Sequence, residues 1–332
     1  MAQSGIPITI LTGFLGSGKT RRLSEYLRSP TRKPTAVIVN EYGAEPVDGD
    51  LIIHAGDGTP VETTTGCVCC SISGDVRSAL FDLADRAGKG DILAFEQMVI
   101  ETTGIADPAS LVHAVAKDER LSAIYRLSQI ICVVDAVRGE HWLERFDECQ
   151  RQVALADRVI LSKLDLIEDP ISQRECDRFV ASLQRLNPTA EIVVDRDNSA
   201  LEPFLHAEPD AVASPLSGAI AHSHPARSGH RPISFSILFE GAIQTSKLEA
   251  ALLKVGDRLG HRLLRAKGVI AVAPAGTTGQ LIQIVGGDLA SEPMDLAPSI
   301  SRLVFIVEDV DPREIADALT PLGARLEQAE AA

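Results

Sequence analysis

Short apolar runs recur through the first two thirds of the chain, at residues 8–11, 36–39, 98–100, 130–134, 159–161 and 192–194. Each is too short for a helix and, Thr9 apart, unbroken by polar positions, the pattern of strands buried on both faces. Amphipathic stretches at 18–28, 74–86, 108–115 and 170–186 separate them, opened or closed by Gly, Pro, Ser or Asp. This alternation predicts an α/β layer, a mostly parallel sheet with helices on both faces. The periodicity stops between 207 and 231, where Pro209, Pro215, Pro225, Gly218 and Gly229 gather with several serines, so this stretch reads as a linker. An alternating run at 233–239 follows it, then a helical pattern at 246–259, apolar runs at 269–272, 281–285 and 303–307, and a last helix after Asp311-Pro312. Strands mixed with two helices predict a small α+β domain with a largely antiparallel sheet. The expected organisation is residues 1–206, a flexible linker at 207–231, and a second domain at 232–332.

The first predicted strand runs directly into Gly13-Phe14-Leu15-Gly16-Ser17-Gly18-Lys19-Thr20, with a predicted helix directly behind it. Eight residues in that strand–loop–helix context fit the P-loop in full. Gly13, Gly16, Ser17 and Gly18 bring backbone N–H groups around phosphates, Lys19 supplies positive charge, and the Thr20 hydroxyl is a ligand for Mg²⁺. The rival reading is a glycine-rich turn that binds nothing. Glu101 closes the strand at 98–100 and leads into Thr102-Thr103-Gly104. An acid there suits Mg²⁺, and Gly104 can approach a terminal phosphate closely because it has no side chain. A solvated strand end is the alternative for Glu101, and a simple cap on the helix starting at Pro108 is the reading for Asp107. Lys19, Thr20, Glu101 and Gly104 are thus the expected catalytic group.

Ser162-Lys163-Leu164-Asp165 ends the strand at 159–161. A carboxylate at Asp165 would pair with the two donors on one edge of guanine, which adenine lacks, and Lys163 would lie along the ring. A strand-end cluster without a ligand is the alternative. Between the two phosphate elements, three cysteines fall within four residues, Cys67-Val68-Cys69-Cys70. Clustered thiolates favour Zn²⁺ or Cu⁺, and candidate fourth ligands are Glu41, Glu45, His54 or water. Redox chemistry and simple packing are the competing readings. Cys132, Cys149 and Cys176 are scattered and read as core. His222, His224 and His230 lie in the polar linker, where an incidental cluster is as good a reading as a loose metal site.

At 332 residues the chain is long enough for about two domains. With 45% hydrophobic and 23% charged residues, and no apolar run near the ~18 residues a bilayer span needs, no membrane association is expected. The first residues carry no basic stretch ahead of an apolar core, so the expected location is cytoplasmic. Thirty-two basic against 46 acidic side chains give a formal net charge of −14, a field that disfavours nucleic acid as a partner.

The loop at Gly13 to Thr20, Asn40-Glu41-Tyr42-Gly43, Gly66-Cys67-Val68-Cys69-Cys70, Glu101 to Pro108, and Ser162 to Asp165 occur in an order and spacing that resemble the CobW family of P-loop GTPase metallochaperones. The likeness covers most of residues 6–200 and reaches the second domain through Leu264-Arg265-Ala266-Lys267-Gly268 and Leu303-Val304-Phe305. It implies a SIMIBI-type G domain, followed by a CobW-type C-terminal domain. It also implies hydrolysis of GTP coupled to transfer of Zn²⁺, or of cobalt or another divalent ion, to a client metalloprotein. In this sequence Lys19 and Thr20 would hold phosphate and Mg²⁺. Cys67, Cys69 and Cys70 would bind the carried ion, with Glu41 as a further ligand, and Asp165 would read guanine. A homodimer is one option for its assembly. Ser162 stands where the family usually has Asn, Ala44-Glu45-Pro46 departs from its pattern after Gly43, and the C-terminal end lacks the tryptophan common in relatives. A P-loop small-molecule kinase and a metal-buffering scaffold with a decayed GTPase are the alternative functions.

Overall fold

The computed structural model describes residues 5–39, 50–54, 60–64, 72–167, 170–195, 200–206, 231–273, 278–295 and 297–327, with the backbone path alone for 50–54, 60–64, 72–75 and 170–172. In chain order the elements are β1 (Ile6–Thr12), α1 (Lys19–Arg28), β2 (Thr35–Val39), β3 (Asp50–His54), β4 (Pro60–Thr64), α2 (Ile72–Lys89), β5 (Gln97–Glu101), α3 (Pro108–Ala116) and α4 (Glu119–Ile124). They continue with β6 (Tyr125–Asp135), α5 (Gly139–Arg145), α6 (Asp147–Leu155), β7 (Arg158–Ser162), α7 (Pro170–Leu186), β8 (Glu191–Val194) and α8 (Leu201–His206). The last group is β9 (Ile233–Phe239), α9 (Thr245–Leu259), β10 (Leu263–Val272), β11 (Thr278–Val285), β12 (Asp288–Met294), β13 (Ser301–Val307), α10 (Pro312–Leu319) and β14 (Ala324–Leu326).

Contacts divide the chain into two compact units, residues 1–152, 156–177 and 191–210 in one, and residues 153–155, 178–190 and 211–332 in the other. The first is organised on a parallel sheet of order β2-β5-β1-β6-β7-β8, with every described pairing parallel. Its strands are mainly apolar through their centres because helices cover them: Val37, Val99, Ile131, Val133 and Ile160 are fully buried, and Leu23 and Tyr26 of α1 pack into the same cluster as Leu201 and Leu205 of α8. Register aligns the carboxyl ends of the middle strands, with Leu11 opposite Glu101 and Asp135 opposite Ser162. β1 lies between β5 and β6, both later in the chain, with β2 on one side of it and β7 and β8 on the other, so the strand order reverses at its carboxyl end, the crevice where α/β sheets take ligands. The hairpin β3–β4 forms a separate antiparallel pair.

The second unit carries an antiparallel sheet of order β12-β11-β10-β13-β9-β14, the arrangement the alternating pattern predicts. Its core joins Phe235, Ile237, Phe305 and Ile282 to Leu248, Leu252 and Leu259 of α9 and Ile315 and Leu319 of α10, with Phe235 and Phe305 stacked 5.6 Å apart. Within this unit Asn187 Nδ2 donates to the carbonyls of Val153 (2.8 Å) and Ala154 (3.1 Å), and the buried Arg265 donates to Leu155 O at 2.6 Å.

Several elements exceed or escape the periodicity. The run at 269–272 is only the second half of β10, whose first half carries Arg265, Lys267 and Gly268. Edge strand β12 (Asp-Leu-Ala-Ser-Glu-Pro-Met) is half exposed and carries Pro293, so it shows no alternation to detect. Helix α2 starts and ends beyond the expected 74–86. The short helices α4, α5, α6 and α8 have too few turns to give a periodic signal. Of the expected linker, residues 207–230 lie outside the described residues. Among the described residues no helix is long and apolar enough to cross a membrane.

Candidate functional site

The eight-residue loop wraps the end of β1 because its first residue cannot be anything but glycine: Gly13 has φ +138°, and a Cβ there would stand 2.1 Å from the Val133 carbonyl oxygen. Gly16 and Ser17 make the turn, closed by Ser17 N–H donating to Phe14 O at 3.2 Å, and Gly18 precedes the first turn of α1. Four orphan N–H groups at that helix start, with the macrodipole behind them, favour an anion. Lys19 is buried, its Nζ donating to Gly13 O (2.7 Å) and Phe14 O (3.2 Å), so the ammonium sits at the centre of the loop. Outside it, Phe14 packs on Trp142 and Phe146 at 5.1 and 4.8 Å between ring centroids, anchoring the loop to α5 and the residue that follows it.

Thr20 Oγ1 donates to Glu101 Oε1 at 2.5 Å, pairing the hydroxyl behind Lys19 with the carboxylate that ends β5. The segment after Glu101 is bound to the loop of β1: Thr102 N–H donates to Leu11 O, and the Thr102 hydroxyl to Thr12 Oγ1. Gly104 abuts the P-loop so closely that a Cβ would lie 2.5 Å from Leu15 N, which no side chain can satisfy without moving backbone. Asp107 caps α3, accepting from Ala109 N–H at 2.9 Å, and its other oxygen pairs with Arg151 of α6 at 2.7 Å. Two hydroxyls of this site, Ser17 Oγ and Thr103 Oγ1, are buried with no hydrogen-bond partner among the described residues. Buried polar groups are rarely left so unless a ligand satisfies them, so the donor set fits a phosphate with its counter-ion.

The third element is the end of β7. Ser162 is fully buried and its hydroxyl is shared between Ser17 O (2.7 Å) and Val134 O (3.0 Å), tying this strand to the P-loop. Lys163 is held left-handed, at φ +60°, and its Nζ pairs with Asp135 Oδ2 at 2.7 Å. The other Asp135 oxygen accepts from Val137 and Arg138 N–H, so a fully buried carboxylate both caps its own turn and fixes the lysine. Asp165 lies in the short 3₁₀ turn that follows, exposed and without a hydrogen bond among the described residues. Its carboxylate is available for a ligand.

The structure therefore gathers Gly13, Gly16, Ser17, Gly18, Lys19, Thr20, Glu101, Gly104, Ser162, Lys163 and Asp165 at the carboxyl edge of one sheet. Cys67, Cys69, Cys70, Glu41, Glu45, His222, His224 and His230 lie outside the described residues, and nothing is described of the His54 side chain. Among the described residues no cluster of His, Cys, Asp or Glu could hold a metal. Cys132, Cys149 and Cys176 are buried, as expected of core residues; burial pushes the Cys149 thiol up to about 12 and that of Cys132 higher still. Sequence reasoning missed Asp135, Arg151 and Gln152. Asp135 was findable, since it closes an apolar strand just as Glu101 does. The other two sit on α6, too short for a period to announce.

This fold and this loop define a P-loop nucleotide-binding protein. Residues 7–194 match the CobW/HypB/UreG nucleotide-binding domain, more than half of the chain, and residues 233–322 match the cobalamin synthesis protein cobW C-terminal domain. The chain belongs to the CobW family. Among curated proteins it is similar to the zinc chaperone YjiA of Escherichia coli (strain K12), 40% identical over 189 residues, 56% of this chain and 56% of that one. It is 34% identical to the zinc-regulated GTPase metalloprotein activator 1 of Schizosaccharomyces pombe over 172 residues, 49% of this chain and 40% of that one. The zinc chaperone CobW of Pseudomonas aeruginosa is 29% identical over 351 aligned positions, 95% of this chain and 90% of that one. The first two matches thus span only about half the length of those relatives. Among solved structures, the crystal structure of the Zn(II)-bound YjiA GTPase from E. coli superposes with a TM-score of 0.72 at 26% identity, covering 96% of this chain and 99% of that one.

Proposed function

We propose that this protein is a GTP-hydrolysing metallochaperone that carries Zn²⁺ on Cys67, Cys69 and Cys70, with Glu41 as a further ligand, and releases it to a client metalloprotein. In this reading residues 1–206 are the GTPase domain, 207–231 a linker and 232–332 the C-terminal domain. The observation that carries the nucleotide half is the convergence at one sheet edge of Lys19, the Thr20–Glu101 pair and an unengaged Asp165. Relatives named as zinc chaperones and as a zinc-regulated GTPase activator support the metal half.

Lys19 would neutralise the β- and γ-phosphates, and the loop N–H groups would hold them in line. Thr20 and Glu101 would hold Mg²⁺, which when bound offsets the negative charge that grows on the transferring phosphoryl group. The Gly104 backbone, pressed against Leu15 of the P-loop, would come close to a terminal phosphate. Asp165 would accept from the two donors of guanine, while Asp135 keeps Lys163 fixed beside it. A small-molecule kinase using ATP has no use for that carboxylate, because adenine presents no such pair of donors.

Transfer of the metal requires that GTP be bound more tightly by one of the loaded and empty forms than by the other; coupling of about 1–3 kcal/mol is the usual scale. GTP hydrolysis by the parent and by a Cys67, Cys69, Cys70 triple alanine variant, with and without one equivalent of Zn²⁺, tests this. A zinc effect on the parent rate that vanishes in the variant is the expected result. Hydrolysis indifferent to both zinc and cysteines would leave a GTPase and remove the chaperone mechanism, and absence of GTP turnover in the parent would overturn the enzyme.

A further inference from the structure

Helix α6 reaches across to the loop that follows Glu101 and holds it by side chains alone. Gln152 is almost fully buried, and both hydrogens of its amide nitrogen are used: Nε2 donates to Gly104 O at 3.1 Å and to Ala106 O at 3.0 Å. Because both partners are carbonyls, the nitrogen must face the loop and the amide oxygen must face away. That oxygen, Oε1, is buried with no hydrogen-bond partner among the described residues. A side chain that only filled space would not retain a costly orphan acceptor to hold two backbone carbonyls. One residue earlier, Arg151 pairs with Asp107 at 2.7 Å, at the far end of the same loop. The loop's own hydrogen bonds are few: a turn from Ala106 N–H to Thr103 O, and the links from Thr102 to β1. Between Thr102 and Asp107, the grip on Gly104 and Ala106 therefore comes from α6.

We propose that Gln152, assisted by Arg151, is a positioning residue for GTP hydrolysis: by fixing the carbonyls of Gly104 and Ala106, which follow the Gly104 N–H in the chain, it limits rotation about that glycine, so that its N–H stays turned toward the terminal phosphate. It touches no reacting atom and acts through the Gly104 backbone. The inference rests on the GTPase reading above. Clamping the carbonyl that follows a glycine restrains its backbone torsions, and a Gly104 free to turn its N–H away from the phosphate would lose one hydrogen bond that is strongest when charge develops there. The residue should therefore matter to turnover far more than to GDP, which has no terminal phosphate for Gly104 to meet.

Gln152→Leu keeps the volume and removes both donors, Gln152→Glu puts carboxylate oxygens against the two carbonyls, and Arg151→Gln removes the half-exposed pair with little risk to folding. Steady-state GTP hydrolysis, GDP affinity by titration, and a pH profile are measured on each full-length variant. For Q152L the expected result is a kcat about tenfold lower with GDP affinity within about twofold of the parent, and for R151Q a drop of about threefold. Q152E should be slower than Q152L at pH 8 and should recover relative to the parent as pH falls, since a protonated carboxyl can again donate to one carbonyl. Retention of kcat within about twofold by both Q152L and R151Q would overturn the proposal, as would a GDP affinity that falls in step with kcat, the mark of a merely structural role. If Q152L does not fold, R151Q and Q152E decide the question in the same way. Failure of the underlying reading is distinguishable, because it would appear as a parent protein that binds GDP yet turns over no GTP.

Discussion

Asp165 stands exposed in its 3₁₀ turn while its neighbour Lys163 is locked to a buried carboxylate, so the two charges of this short stretch have different tasks. One is left for a ligand and the other is consumed in holding the turn. Asp165→Asn should weaken GTP by about 10- to 100-fold, since an amide cannot accept from both guanine donors, and should raise the affinity for xanthosine triphosphate; equilibrium titration with both nucleotides checks this. Ser162 performs with one hydroxyl a bridging task, reaching a P-loop carbonyl and a β6 carbonyl together, so its departure from the family's usual Asn keeps the strand tied to the loop. The cysteines divide just as clearly. A thiol raised to about 12 stays protonated far above neutral pH and is a poor nucleophile, so Cys149, and Cys132 with it, should resist iodoacetamide in the native protein at pH 8. Peptide mass spectrometry should find the label confined to Cys67, Cys69 and Cys70 and slowed by Zn²⁺.

Among the elements, α1 does more than present Lys19. About one turn along its surface, Arg22 is buried and directs Nε and Nη2 onto a single oxygen of Asp195, at 2.9 and 2.8 Å, beyond the end of β8. The other Asp195 oxygen accepts from Ala200 N–H, so the pair ties the phosphate helix to the segment leading into α8. Arg22→Met leaves a buried carboxylate uncompensated and should cost about 3–5 kcal/mol, read as a lower urea midpoint. Strands of the parallel sheet were legible because both their faces are covered, which leaves unbroken apolar runs, and the P-loop was legible because its glycines are dictated by backbone approach. The elements that escaped share a cause. The α6 helix spends Arg151 and Gln152 on hydrogen bonds to a loop, and β12 is an edge that buries little, so neither imposes a period on the sequence. Arg265, buried inside a strand, likewise broke the pattern that would have extended β10 to its full length.

At the scale of the whole molecule, the net charge of −14 agrees with a protein that admits phosphate only where a helix start and one lysine make a local positive site. The family match runs through both units, and each has its own core, one parallel and one antiparallel. The contact between Phe14 and Trp142 has an optical consequence, since Trp142 is the single tryptophan in 332 residues. Its indole lies against the loop expected to close around phosphate, so emission excited at tryptophan wavelengths arises beside that loop. Adding GDP or GTP should change the fluorescence at tryptophan excitation in a saturable way, and Trp142→Phe should abolish the change while leaving nucleotide binding measurable by calorimetry. A saturable signal that differs between the two nucleotides would make loop closure visible in real time without any attached dye.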